Sequence, residues 1–331
     1  MIITRTPFRI SFAGGGTDLK AYYSKETGRV ISTTIDKYIY VVVKRQIGIV
    51  EHKYRINWSK VEFKDSIDEI EHPIVREALR LFGIDFPIEI TTFTDIPGQT
   101  GLGSSSAFAV GLVHALHALK GEMVSKNTIA TTASHIEVDI LGRSMGKQDH
   151  YASAYGNLNI FTFNRDGTVG VDPVLYRQEV KDAIEGNLHL FYLKSKRDAS
   201  KILKVQEQKT PELLKNLSEL KGLVTPLSEI FSSGVGINKF GDLLHQGWMI
   251  KKNLTDVISS SEIDNYYQKA LDNGAIGGKL LGAGGGGFLL LYVEKNNQQS
   301  LVDALSDLYH LNVGFDQAGT RITYYDQSIF G

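Results

Sequence analysis

The sequence predicts a chain of mixed strands and helices folded as two domains or one bilobed unit, on three observations. At 331 residues it exceeds the roughly 100–200 residues of a typical domain. Its hydrophobic fraction of 42% against 22% charged suits a globular core and not a disordered chain. Short β-branched runs that alternate with period two share the chain with apolar stripes of helical period.

Taken in order, Val30 to Lys44 reads as strand, with Ile31, Val41, Val42 and Val43 as its apolar members, and Arg55 to Phe63 as a second. Glu71 to Phe82 places Ile74, Val75, Ala78, Leu79 and Phe82 on one helical face. Pro87 to Thr94 alternates again as strand, and the apolar segment Ala107 to Leu119 reads as a largely buried helix. A further helix is expected over Thr128 to Leu141, then a hairpin of Asn157–Phe163 and Thr168–Val171 around Asp166-Gly167. His189 to Leu193 is a strand. Ile202 to Phe231 and Phe240 to Ile258 carry helical patterns, interrupted at Pro211, Pro226 and the Gly234/Gly236 joint. The tail reads strand over Gly287–Val293, helix over Leu301–Tyr309 and strand over Arg321–Tyr325. The polar stretch Lys181–Gly186 lies between two strand runs and marks a domain boundary, giving 1–183 and 184–331.

Composition excludes several functions. Lys and Arg number 36 against 37 Asp and Glu, a net charge of -1, which gives no support to a nucleic-acid partner. The absence of cysteine rules out disulfides, cysteine-ligated zinc and thiol nucleophiles. Met1 to Ile10 holds Arg5 and Arg9 and no long apolar run, so neither a leader nor an anchor is expected. No window approaches the ~18 apolar residues of a membrane span. No membrane partner and a cytoplasmic location are therefore expected.

The strongest local feature is the run Pro97, Gly98, Gln99, Thr100, Gly101, Leu102, Gly103, Ser104, Ser105, Ser106, Ala107, set between a strand and an apolar helix. Glycines admit tight turns and close approach to a ligand. The first turn of the next helix offers unpaired N–H groups and the positive end of its dipole, an anion site. The serine hydroxyls suit phosphate oxygens or Mg²⁺. The plain alternative is a flexible connection capped by Ser104. The run is not a Walker A loop, since it lacks lysine, and not a Rossmann turn, since no third glycine follows at the right offset.

Two more glycine strings flank it in the chain. Pro7 to Asp18 ends a strand in Gly14, Gly15 and Gly16, followed by Thr17 and Asp18; a turn with Asp18 capping a helix is the plain alternative. Lys279 to Phe288 holds four successive glycines, Gly284 to Gly287, before an apolar strand. Such a string costs backbone entropy, so it needs a reason, either ligand approach or a crowded turn.

The three strings, in this order, resemble the motifs of the GHMP kinases, named for galactokinase, homoserine kinase, mevalonate kinase and phosphomevalonate kinase. Ser106 stands where that family often has alanine. The resemblance implies an α+β fold, with a phosphate-binding N-terminal domain, a C-terminal domain of the ferredoxin-like plait type, and ATP and substrate in the cleft between them. It implies that Pro97 to Ser106 hold ATP, that Glu137 with Ser105 binds Mg²⁺, and that Asp149 is the catalytic aspartate with Arg9 beside it. Asp18 then meets substrate hydroxyls, with Gly15, Gly16 and Thr17 around it and Gly285 closing from the second domain. Read without the resemblance, Glu137 is a solvated helix residue and Asp149 a turn former. A cation such as Arg9 or Lys147 keeps Asp149 ionised. His114 and His117 have metal-like spacing but no third ligand, and packing is the reading kept for them.

Within the family, the opening motif together with Gly146-Lys147-Gln148-Asp149 resembles the D-glycero-D-manno-heptose 7-phosphate kinases, and next the kinase part of L-fucokinases. His150 and Asn157 depart from the heptose kinase pattern. The resemblance implies phosphorylation of the anomeric C1 hydroxyl, with L-fucose or another hexose as the alternative acceptor. A phosphorylated acceptor needs a second anion pocket, for which Lys194, Ser195, Lys196 and Arg197 are candidates. A sensor that binds without turnover, or an isoprenoid kinase, remains open at this stage, as does the oligomeric state.

Overall fold

Strand β1 (Ile2–Ala13) and the long strand β2 (Gly28–Arg45) form the spine of the molecule, joined through the short α1 (Lys20–Tyr23). They run antiparallel, from Ile2 opposite Val43 to Ala13 opposite Ile31. The computed structural model describes residues 1–194 and 199–326. The expected strand over 55–63 is two, β3 (Tyr54–Asn57) and β4 (Val61–Lys64), reversed where Trp58 N–H donates to the Lys60 carbonyl.

Helix α2 (Pro73–Phe82) begins after His72, whose Nδ1 accepts the Val75 N–H, and Pro73 takes the first helical position, where no N–H is needed. Its stripe of Ile74, Val75, Ala78, Leu79 and Phe82 is buried as the spacing predicts. β5 (Ile88–Thr94) pairs with the second half of β2. Helix α3 (Ser104–Leu119) is mostly apolar from Ala107 onward and packs against β1 and β2.

The expected helix over 128–141 divides. α4 (Lys126–Ser134) is capped by Ser125, and the chain then widens into a π-helical turn over His135–Ile140. Glu137 lies in that turn and is fully buried. α5 (Gln148–Tyr155) follows, then the hairpin β6 (Asn159–Phe163) and β7 (Val169–Pro173), which pairs through β6 with the first half of β2.

The polar stretch at 181–186 is not a connecting segment. It is the C-terminal half of α6 (Gln178–Glu185) with its cap Gly186; Asp182 and Ala183 are exposed, while Val180, Lys181 and Ile184 are buried. A second, four-stranded sheet follows: β8 (Leu188–Tyr192), β9 (Ala275–Leu280), β10 (Phe288–Val293) and β11 (Tyr309–Leu311), in the order β11-β8-β10-β9. The helical patterns between β8 and β9 become α7 (Ala199–Lys209), α8 (Leu214–Gly222), α9 (Val224–Ser233) and α10 (Phe240–Lys252), and a further helix, α11 (Ser261–Asp272), follows beyond them. Pro226 does not interrupt α9, because it sits in the first turn, where the missing N–H has no helical partner. The helix expected over 301–309 is α12 (Gln298–Ala304), and Tyr309 already belongs to β11.

The chain then returns. β12 (Phe315–Asp316) pairs with β2, and β13 (Arg321–Tyr325) pairs with β1, Tyr325 opposite Ile2, completing a nine-stranded first sheet among the described residues. A cut at 183/184 separates these two strands from their sheet; we propose that residues 315–326 belong with the N-terminal domain. Phe12 on β1, Phe231 on α9 and Phe240 on α10 meet with ring centroids 5.3–5.8 Å apart and join the two halves. No helix among the described residues is long and apolar enough to cross a membrane.

Candidate active site

A cavity of about 530 Å³ opens where the end of β1, the loop before α3, the start of α5, α10 and the glycine string before β10 converge. All three sequence motifs reach it.

At its centre Arg9 grips Asp149. Nε donates to Oδ1 at 2.6 Å and Nη2 to Oδ2 at 2.8 Å, a parallel two-bond pair, while Nη1 donates to the Gly101 carbonyl at 2.8 Å. Asp149 lies in the first turn of α5 and not in a turn past a helix; there the helix dipole favours its negative charge. Gly103 (φ +78°) passes beside it, and a Cβ there would come within 3.1 Å of Oδ2.

The Gly/Ser loop is held from both sides. Arg9 N–H donates to the Leu102 carbonyl, and Phe288 N–H donates to the Thr100 carbonyl. At Gly101 (φ +83°) a Cβ would stand 2.6 Å from the Leu281 carbonyl oxygen. The third glycine string is thus a crowded backbone crossing over the loop. Gly101, Gly103, Ser104, Ser105 and Ser106 line the cavity; Pro97 and Gly98 face solvent and Leu102 is fully buried. Ser106 Oγ is buried without a protein partner, at the start of a helix whose leading N–H groups form an anion site.

Behind the loop, Glu137 does not line the cavity. It is fully buried, accepting from Ser105 Oγ at 2.5 Å and from Arg143 Nη1, with His150 Nε2 at 2.8 Å on its other oxygen. Burial works to raise its carboxyl, but His150, Ser105 and Arg143 hold it below the usual range. Arg143 Nη1 also donates to Ser105 Oγ at 2.9 Å, so a positive charge already stands between the two oxygens expected to hold Mg²⁺. One carboxylate and one hydroxyl, completed by phosphate and water, is a donor set this ion accepts. The pair fits it once Arg143 yields the position.

On the opposite side Asp18 accepts from Gly16 N–H at 3.0 Å and Gln148 N–H at 3.3 Å. Burial, and then the charge of Asp149, raise its carboxyl above the ordinary range. Gly15 and Gly16 line the cavity beside it. Three expected contacts are not brought in. The Thr17 hydroxyl is consumed in its own turn, donating to the Gly14 carbonyl at 2.7 Å. Lys147 turns away, over the Tyr23 ring and onto the Gly167 carbonyl. Gly285 N–H donates to the Ile258 carbonyl, and its neighbours Gly284 and Gly286 line the cavity instead. Arg197 lies outside the described residues, with Ser195 and Lys196; Lys194 donates to the Asp307 carbonyl. His114 and His117 bond Thr320 and Glu122 separately, and no metal-binding group of three such side chains occurs among the described residues.

Sequence reasoning missed Ser11, Arg143, Gln148, Lys251 and Lys279, all of which line the cavity. Ser11 Oγ and Gln148 Oε1 are buried without protein partners. On the loop side, His72 packs between Trp58 (4.7 Å) and Phe108 (4.8 Å) as an aromatic wall. Burial pushes His72 down to about 4.

Residues 72–157 match the GHMP kinases N terminal domain, and residues 236–311 match GHMP kinases C terminal. A D-glycero-alpha-D-manno-heptose 7-phosphate kinase of Campylobacter jejuni is 30% identical over 322 residues, covering 92% of this chain and 93% of the relative. A bifunctional fucokinase/GDP-fucose pyrophosphorylase of Arabidopsis thaliana is 25% identical over 84% of this chain and 28% of its own length. The crystal structure of a D-glycero-D-manno-heptose 1-phosphate kinase from Bacteriodes thetaiotaomicron superposes with a TM-score of 0.80 at 22% identity, over 99% of this chain and 100% of that one. A putative sugar kinase from Campylobacter jejuni gives 0.70 at 27% identity, over 97% of both chains.

Proposed function

Because this chain belongs to the GHMP kinase family and is an ATP-dependent sugar kinase, we propose that its acceptor is D-glycero-D-manno-heptose 7-phosphate and its product the 1,7-bisphosphate. The observation that carries the chemistry is the Arg9–Asp149 pair, set between a phosphate-type loop and a pocket of polyol-type partners. The relative of 30% identity along nearly the whole chain supports the sugar.

In this reading the ATP phosphates lie along Gly101 to Ser106 at the head of α3, with the base toward Trp58, His72 and Phe108. Asp18, Ser11 and Gln148 hold the sugar hydroxyls beside Gly15 and Gly16. The anomeric hydroxyl meets Asp149, which orients it and takes its proton as the oxygen bonds to the γ-phosphorus and the bond to ADP breaks. Arg9 fixes the carboxylate in direction and distance. Positioning and charge stabilisation supply most of the catalysis in such a transfer. Ser105 and Glu137 would hold Mg²⁺, which when bound screens the phosphoryl oxygens. Use of ATP supports a cytoplasmic location for the reaction.

An L-fucokinase or other hexose 1-kinase is the second reading, favoured by the Arabidopsis relative. A non-catalytic sensor would have no need of a paired carboxylate at the reacting hydroxyl. The test is ADP release from ATP and Mg²⁺ with heptose 7-phosphate, mannose, L-fucose, galactose and mevalonate. Turnover with the heptose phosphate is expected; turnover with L-fucose or galactose alone replaces the acceptor, and none with any sugar overturns the reading.

A further inference from the structure

Two lysines reach the cavity from the second sheet's side. Lys251, in the last turn of α10, donates to the carbonyls of Leu280 (3.1 Å) and Gly282 (2.5 Å). Lys279, on β9, is 8% exposed and donates to the Phe12 carbonyl at 3.0 Å. An ammonium carries three protons, so among the described residues one donor on Lys251 and two on Lys279 are left over. The charges they feel are Arg9 and, for Lys279, Lys251, with no acid among them. Arg9 already has Asp149.

Burying like charges together without a counter-ion is unfavourable. Burial, then the charge of Arg9, lowers Lys251 to about 7; burial, then Lys251 and Arg9, takes Lys279 well below the lysine range. A bound anion reverses both effects. Room exists beside them, because Gly247, one turn before Lys251 on the same face of α10, also lines the cavity.

The place of Lys279 points to which anion, while Lys251, bonded to Gly282 where that residue crosses Gly101, stands between the two sides. Lys279 is tied to Phe12, just before the glycines of the acceptor pocket, whereas Ser104 to Ser106, Arg143 and the aromatic wall come from the first sheet's helices and loops. Resting on the reading of a phosphorylated sugar acceptor, we propose that Lys251 and Lys279 form a second anion subsite that binds the acceptor's own phosphate monoester, across the Arg9–Asp149 pair from the ATP phosphates. This role was expected from the sequence at 194–197.

The test compares kcat/KM for two matched pairs, D-glycero-D-manno-heptose 7-phosphate against the free heptose and mannose 6-phosphate against mannose. The chains are wild type, Lys251→Met, Lys279→Met and Lys251→Arg. Wild type is expected to prefer the phosphorylated member. Each Met variant should lose about tenfold or more of that preference, as the loss of a charged hydrogen bond predicts, while Lys251→Arg keeps most of it. Titration calorimetry with inorganic phosphate and with the heptose phosphate makes the same comparison without turnover. Should Lys251→Met not fold, Lys279→Met carries the test. An unchanged preference and phosphate affinity in folded Lys279→Met overturns the subsite, as does a wild type that prefers the unphosphorylated sugars. Turnover of mannose 6-phosphate but not of the heptose phosphate, with the Lys279→Met loss intact, removes the heptose reading and leaves the subsite standing.

Discussion

Arg9 and Asp149 meet edge to edge, two parallel hydrogen bonds of 2.6 and 2.8 Å joining the first strand to the first turn of α5. A planar fork on a carboxylate fixes direction as well as distance. Asp149→Asn keeps the shape and removes the base. It should lower kcat by about 10²–10⁴ while nucleotide binding, measured by calorimetry, is retained. Arg9→Lys loses the fork and should also lower kcat; full activity in either variant would assign the chemistry elsewhere.

Asp18 offers a prediction in pH. Burial and the charge of Asp149 raise its carboxyl, so ionising it costs the folded state more than the unfolded chain. The stability gained from holding the proton is complete below the ordinary carboxylate value of about 4 and is lost as pH rises through the raised value. Asp18→Asn keeps an acceptor for the Gly16 and Gln148 N–H groups and escapes that loss. Its Tm relative to wild type should climb between pH 4 and pH 8. A difference that stays flat over that range would refute the assignment.

The expected metal ligands can be probed by titration. Ser105→Ala and Glu137→Gln should each raise the Mg²⁺ concentration for half-maximal turnover by about tenfold or more, since even outer-shell losses reach that size. Glu137→Gln should also cost about 2 kcal/mol of stability, because Arg143 and His150 both bond the carboxylate. Unchanged Mg²⁺ dependence in both would place the ion elsewhere. Chelation by EDTA should abolish turnover in wild type.

Gly101 and Gly83 separate conformational cost from crowding. Both have positive φ, but a Cβ on Gly83 meets nothing within 4 Å, whereas one on Gly101 meets the Leu281 carbonyl at 2.6 Å. Gly83→Ala should cost about 1–2 kcal/mol, the left-handed penalty alone. Gly101→Ala should cost clearly more, about 3 kcal/mol, and should raise the KM for ATP. Urea unfolding of the two variants checks the ordering.

What the sequence makes legible here is backbone chemistry. The glycine strings mark where strands turn and cross, and they lead to Arg9, Asp18 and the serines because those residues are local to them. Side-chain direction is another matter. Thr17 and Lys147 stand in the right segments, yet one bonds its own turn and the other leans on Tyr23. Glu137 is reached in sequence only through the family resemblance, because periodicity announces neither its burial nor the π-helical turn that holds it. Lys251 carries no motif, and Lys279 opens the third glycine string without standing out in it. The contact that makes them a pair is created by α10 packing across β9. The polar stretch at 181–186 misleads because half of an amphipathic helix looks like a connecting segment when Val180 and Ile184 are overlooked.

The return of β13 to the edge of β1 sets an order for biosynthesis. β1, which carries Arg9, is made long before β13, and the strand that closes its free edge is completed only when Tyr325 has been added. Until then a growing chain presents an open backbone edge to its neighbours on the polysome. A product terminated before β13 lacks the partner that covers the strand bearing Arg9.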